Sequence, residues 1–114
     1  MKISEIAKLI DGEIKSGFDN LDHKFEFAFA SDLMSDVLTV KQSNVLLITG
    51  LANIQAIRTA EMSDIHCIIV VRNKELNEEM IELAEECDIT LIKCKYSMFK
   101  TVGILYDTVL KPLY

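Results

Sequence analysis

Apolar and polar positions are patterned in two different ways along this chain. From residue 44 onward, short apolar runs take turns with segments of helical periodicity. Val45-Leu46-Leu47-Ile48 is apolar at every position, as a strand covered on both faces must be. A helix is predicted after it, from about Asn53 to Met62. Cys67 to Val71 is the next apolar run, with a predicted helix from about Asn77 to Glu86 behind it. Ile89 to Cys94 reads as the third strand, and a last helix is predicted from about Ser97 to Leu110. Val45, Cys67 and Ile89 open these strands at even spacing, which suits successive right-handed β-α-β units with parallel strands. Asn77 reads as an N-cap, with Glu78 and Glu79 well placed against the helix dipole, and Ser97 as the cap of the last helix. Pro112 falls where it interrupts nothing.

The first 43 residues are less regular. Ser4 can cap a short helix with Ile6, Leu9 and Ile10 at helical spacing and Gly12 as its stop. Glu13 to Gly17 reads as a short strand and Phe18 to Lys24 as a polar loop. Phe25, Phe27 and Phe29 alternate strictly with other residues, the pattern of a half-buried strand with three Phe on one face. The expectation is one α/β domain over residues 1–114, with an irregular α/β half to residue 43 and a β-α-β-α-β-α half from 44 to 114. Its sheet is mainly parallel and built from successive β-α-β units.

Composition narrows the function classes. The 114 residues are 50% hydrophobic and 26% charged, the balance of a folded soluble domain. A net charge of −6 without basic clusters in the sequence argues against nucleic acid as a partner. No apolar run approaches the roughly 18 residues of a membrane span, and the N-terminus lacks a signal-like apolar core. Cys67, Cys87 and Cys94 form no C-x-x-C pair, so they read as packing residues of a cytoplasmic protein.

Candidate chemistry is confined to two places. In an open parallel sheet, ligands bind beyond the carboxyl ends of the strands. Those ends carry Thr49, Gly50 and Asn53, then Arg72 and Asn73, then Ser97. Hydroxyls, a glycine, helix N-termini and an arginine together suit a small anion such as a nucleotide or another phosphate compound. The same residues also serve as ordinary turns and caps. The second place is Ser31-Asp32-Leu33-Met34-Ser35-Asp36. On a helix that spacing stacks Ser31 over Ser35 and Asp32 over Asp36, an arrangement of like charges that calls for a cation or a donor opposite. Otherwise Ser31 or Asp32 is a cap and Asp36 faces water. Gly12 and Gly17 have P-loop spacing, but Phe18-Asp19 stand where Lys and Ser/Thr belong. No metal set, catalytic triad or cofactor motif is present.

These residues resemble a known family. Asn44 to Tyr106 is similar to the DRTGG domain, above all in "ELAEECDITLI" from Glu82 to Ile92. The opening "MKISEIAKLIDGEIKSG" and "SDLMSDVL", Ser31 to Leu38, resemble its small stand-alone members. The start is also similar to the N-terminal domain of HPr kinase/phosphorylase, whose P-loop lies in a different domain. The resemblance implies a regulatory domain without catalysis. Such domains accompany CBS pairs in some pyrophosphatases, where they help form the dimer, and occur beside phosphotransacetylase domains. Stand-alone relatives occur in anaerobic bacteria near iron-only hydrogenase genes. Where many members have Gly-Asp-Arg, this chain has Gly50-Leu51-Ala52; where they have Thr-Gly-Gly, it has Val71-Arg72-Asn73. Thr49, Gly50 and the Ser-Asp segment carry over.

The resulting expectation is a non-catalytic, homodimeric, ligand-sensing domain that binds a small anion at the strand carboxyl ends. The alternative is an assembly module that binds a partner protein and no small molecule. A third reading is an enzyme that uses Asp32 and Asp36 on a cation. The dimer face is expected at Phe25, Phe27 and Phe29 and the Met-containing helices.

Overall fold

The computed structural model describes residues 1–114. Helix α1 (Ile3–Leu9) leads into β1 (Glu13–Ile14), and a 3-10 turn at Phe18–Asn20 precedes β2 (Phe27–Ala30) and the short α2 (Met34–Val37). The regular half follows as β3 (Val45–Thr49), α3 (Ile54–Met62), β4 (Cys67–Val70), α4 (Glu78–Glu86), β5 (Thr90–Lys93), α5 (Met98–Tyr106) and β6 (Lys111–Pro112). The six strands form one sheet in the order β1-β5-β4-β3-β2-β6. All neighbours are parallel except β1, which runs antiparallel to β5. The chain is a single α/β domain with helices on both faces of a mainly parallel sheet.

Alternate strand residues explain the two faces. Val45, Leu47, Ile68, Val70 and Leu91 point to one side and pack with Ala56, Ile57, Met80 and Ala84 of α3 and α4. Leu46, Ile48, Ile69 and Ile92 point to the other and pack with Ile3, Ile6 and Leu105 of α1 and α5. Strands covered on both sides have no polar face to show, which is why β3 and β4 are almost wholly apolar, while β5 carries a buried Thr90 and a half-buried Lys93 at its ends.

Three helices end in the same way. Asp11, Asp64 and Asp88 adopt positive φ of 52°, 56° and 56° just past α1, α3 and α4. The next residue then donates its N–H to the carbonyl five positions back, to Ala7, Ala60 and Ala84, each at 2.8 Å. Asp is one of the few side chains that tolerates this left-handed position. The repeated Ala-x-x-x-Asp of the sequence is therefore the signature of a helix closing onto the next strand.

Several expectations change. Ser4 lies inside α1, whose first turn instead has the Lys2 N–H donating to Glu5 at 2.9 Å. Leu9 is 45% exposed, while Ile3 and Ala7 face the core with Ile6 and Ile10. Helix α5 stops at Tyr106, and Pro112 sits in edge strand β6, where its missing N–H costs nothing to the ladder. Phe25, Phe27 and Phe29 do not share a face. The N–H groups of Glu26 and Phe27 both donate to the Asn44 carbonyl, a bulge that inserts one residue and flips the alternation. Phe25 is buried on the α1 side, whereas Phe27 and Phe29 pack on the α3 side, with Phe29 edge-on to Tyr114 at 5.9 Å. That face is thus used internally and is not the free apolar surface of the chain.

The P-loop-like glycines also find a purpose. A Cβ at Gly12 would stand 2.5 Å from Ile92, and one at Gly17 would collide with Thr90. Between them, buried Ser16 donates to the Ile89 carbonyl at 2.8 Å and accepts the Leu91 N–H at 2.9 Å. The two glycines let β1 lie tightly on β5, which is a packing reason for their spacing.

Candidate functional site

The carboxyl ends of β2 to β5 form one rim of the sheet. At β3 the Asp32 carboxylate accepts the Thr49 hydroxyl at 2.9 Å and the Gly50 N–H at 2.6 Å. A Cβ at Gly50 would lie 3.4 Å from the same carboxylate, an ordinary contact, so it is the Gly50 N–H that Asp32 uses. The Thr49 hydroxyl in turn accepts the Leu51 N–H at 3.2 Å. Asp32 therefore uses the donors that the sequence offers to an anion at this point.

The Ser-Asp repeat is not a helical stack. Ser31 and Asp32 precede α2, and the Ser31 hydroxyl accepts the Leu33 N–H at 3.0 Å in a local turn. Ser35 and Asp36 lie within the short helix and face solvent, and the Asp36 carbonyl accepts the Thr39 hydroxyl at 2.6 Å. Asp32 and Asp36 are thus not aligned as a cation pair. Asn53 and Ser97 act as helix caps, accepting the N–H groups of Ala56 at 2.9 Å and Lys100 at 3.1 Å.

The ends of β4 and β5 are different. Arg72 and Asn73 are consecutive residues with positive φ, 68° and 54°. Their N–H groups donate to the Tyr96 carbonyl at 2.8 Å and the Cys94 carbonyl at 2.9 Å, tying the two strand ends together. This turn sets Arg72 beside Lys95, Tyr96 and the start of α5, and the Lys100 ammonium lies 3.8 Å from the centre of the Tyr96 ring. Arg72, Lys95 and Lys100 are exposed and none is in an ion pair, whereas nearby Lys93 is held by Glu75 at 3.3 Å. Arg72, Lys95 and Lys100 thus stand on segments that the Arg72–Tyr96 hydrogen bond ties together at the start of the nine-residue α5, with Lys100 over the Tyr96 ring. Lys100 has no signal in the sequence, because a lysine in the first turn of a helix reads as an ordinary solvated residue.

The DRTGG domain family matches residues 5–108 of this chain. The chain belongs to the DRTGG domain family. No curated protein matches it. Its fold is similar to that of the CBS and DRTGG domains of the regulatory region of Clostridium perfringens pyrophosphatase, solved with the activator diadenosine tetraphosphate. The TM-score is 0.71 at 15% identity, over 91% of this chain and 45% of the solved one, so this chain spans about half the length of that region. Arg72 holds a left-handed φ of 68°, where a side chain other than Asn or Asp is strained, and Asn73 follows at 54°.

The thiols are not poised for reaction. Burial pushes the Cys67 thiol far up, and the Cys87 thiol is pushed up to about 11, chiefly by a hydrogen bond with Glu61. At the opposite rim of the sheet, just before β4, His66 bridges two helix ends, with Nε2 2.9 Å from Asp64 and Nδ1 3.1 Å from the Asp88 carbonyl. Burial pulls its pKa down, but the Asp88 carbonyl and the Asp64 carboxylate outweigh it, and the net shift is upward from 6.5. A pKa raised by folding means that the proton stabilises the native state. The contribution is complete below the ordinary value and disappears as pH climbs through the raised one. Since the ring is 45% exposed, the effect is small. Melting temperature is expected to fall slightly from about pH 6 to about pH 8, and His66→Gln is expected to flatten that slope.

No helix in the chain is long and apolar enough to cross a membrane.

Proposed function

We propose that this DRTGG domain is a non-catalytic regulatory module that senses a small anion of the nucleotide or phosphate class at the carboxyl ends of β4 and β5, and that it works as a homodimer. The observation that carries the reading is the turn at Arg72 and Asn73. Arg72 occupies a left-handed position that glycine would fill without strain, and its guanidinium is in no ion pair at a turn tied to Tyr96. Strain kept at a ligand-facing turn is strain with a use. Arg72 supplies a planar fork for phosphate oxygens, Lys95 and Lys100 add charge, and the α5 N-terminus adds unpaired N–H groups. A nucleotide is favoured over a simple anion because Tyr96 lies within the same cluster, and because a regulatory region of the same fold is activated by a dinucleotide.

The site envisaged at Thr49 and Gly50 is demoted by this reading, since Asp32 already takes their donors. Those residues shape the rim and Asn53 starts the helix behind it.

A thermal-shift panel of adenine and guanine nucleotides, dinucleotides, acyl and sugar phosphates tests the proposal. A compound at a hundred times its dissociation constant is expected to stabilise the domain by about 2.7 kcal/mol. A flat panel would favour the alternative, assembly without a ligand, which has its own support in the apolar surface that α5 leaves exposed.

A further inference from the structure

We propose that the exposed face of α5 is a symmetric interface, on which two copies of this chain pair with their α5 helices antiparallel and Phe99 of each enters an apolar groove of the other. The inference deepens the homodimer part of the reading above and shares Lys100 with the anion site proposed there, so it is tested on ligand-free protein.

Phe99 is 92% exposed and Tyr106 71%. With Val102 and Gly103 they follow the three-and-four spacing of a single helix face. A Cβ at Gly103 would meet nothing within 4 Å. Glycine weakens a helix interior, and here nothing inside the domain requires it. What it permits is the close approach of another backbone. Beside this face, a groove of about 130 Å³ opens between α5 and the β2/β6 edge, lined by Ala28, Ala30, Val102, Tyr106, Leu110 and Pro112 among others. An apolar cavity of about 150 Å³ accommodates benzene, so the groove has the scale of one phenyl ring.

The second copy is argued from symmetry and charge. A two-fold axis crossing α5 at Gly103 brings each residue to one about equally far on the other side of Gly103 and on the same flank. At about 100° per residue, Phe99 and Tyr106 lie on the groove flank, on opposite sides of Gly103. The axis therefore delivers each Phe99 to Tyr106 and the groove of the other copy. Lys100 and Asp107 share the other flank, again on opposite sides of Gly103, so each cation meets an anion, twice. Knob and hole, and cation and anion, are placed as an isologous contact requires. The antiparallel helix dipoles add to the fit. The α4 surface, with Glu78, Glu79, Glu82, Glu85 and Glu86, would repel its own copy.

Light scattering on ligand-free protein tests the interface. The wild type is expected at twice the 12.9 kDa chain mass. Phe99→Asp is expected to raise the dimer dissociation constant on the order of thirtyfold, as loss of a central aromatic anchor does. Gly103→Leu is expected to dissociate the dimer as well, and both variants keep the fold because both sites are open in the single chain. Lys100→Asp and Asp107→Lys are each expected to weaken the dimer, and the double variant to recover it. A monomeric wild type overturns both the interface and the homodimer. A dimer that survives Phe99→Asp and Gly103→Leu overturns this interface alone.

Discussion

Gly17→Ala is expected to remove a large part of the stability of the domain. Gly17 has φ of 74°, and a Cβ there would collide with the Thr90 hydroxyl and stand 2.9 Å from the Thr90 Cα. The backbone of β5 cannot yield without breaking its ladder to β4. A left-handed alanine costs about 1–2 kcal/mol, and overpacking adds about 1–3 kcal/mol. Displacement of the neighbouring Ser16 hydroxyl also exposes the buried Leu91 N–H to loss of its partner. Against a total of about 5–15 kcal/mol for a domain, the sum is a large fraction. Urea unfolding followed by circular dichroism reads it as a collapse of the midpoint. An unchanged midpoint would mean that β1 does not lie on β5 as described.

Arg72→Gly is expected to stabilise the free protein and to abolish its response to ligand. Relief of the left-handed side chain gains about 1–2 kcal/mol, and the added freedom of glycine in the unfolded chain returns about 0.5–1 kcal/mol. The net is about 1 kcal/mol, a rise of about 4 °C in melting temperature. The same change removes the guanidinium, and with it the shift of about 2.7 kcal/mol expected near saturation. Arg72→Ala separates the two effects. It keeps the strain and loses the charge, so the free protein melts as the wild type does while the ligand response still disappears. If Arg72→Gly melts higher and responds in full, the turn is strained for another reason and the anion binds elsewhere.

The regular half of this fold is written plainly in its sequence. Strands β3 and β4 are buried at every position, and apolar runs of four and five residues are enough to show it. Asn53, Asn77 and Ser97 each accept an N–H three residues on, because a side-chain oxygen at the N-cap has one local task. The first half misleads where the backbone departs from a simple period. The bulge at Glu26 and Phe27 leaves the Phe-x-Phe-x-Phe pattern intact in sequence while turning Phe25 to the other face. Strand β6 has two residues, one of them proline, and carries no pattern at all.

The candidate site divides along the same line. Arg72, Asn73 and Ser97 follow from the rule that strand ends gather ligand-binding loops. The pairing of Asp32 with Thr49 and Gly50 joins residues 17 and 18 positions apart, and no local signal announces it. Lys100 joins the cluster only because α5 starts where the Arg72 turn is tied to Tyr96. That Arg72 sits at positive φ has no local signal in the sequence.

The most direct test is an amide NMR titration of the wild-type chain with the nucleotide that shifts its melting temperature most. The account expects the largest perturbations at residues 72–74 and 95–100, with the amides of Thr49 and Gly50 moving little. Perturbations centred on Asp32, Thr49 and Gly50, or on the groove beside α5, would contradict it, as would a panel in which no nucleotide moves any resonance.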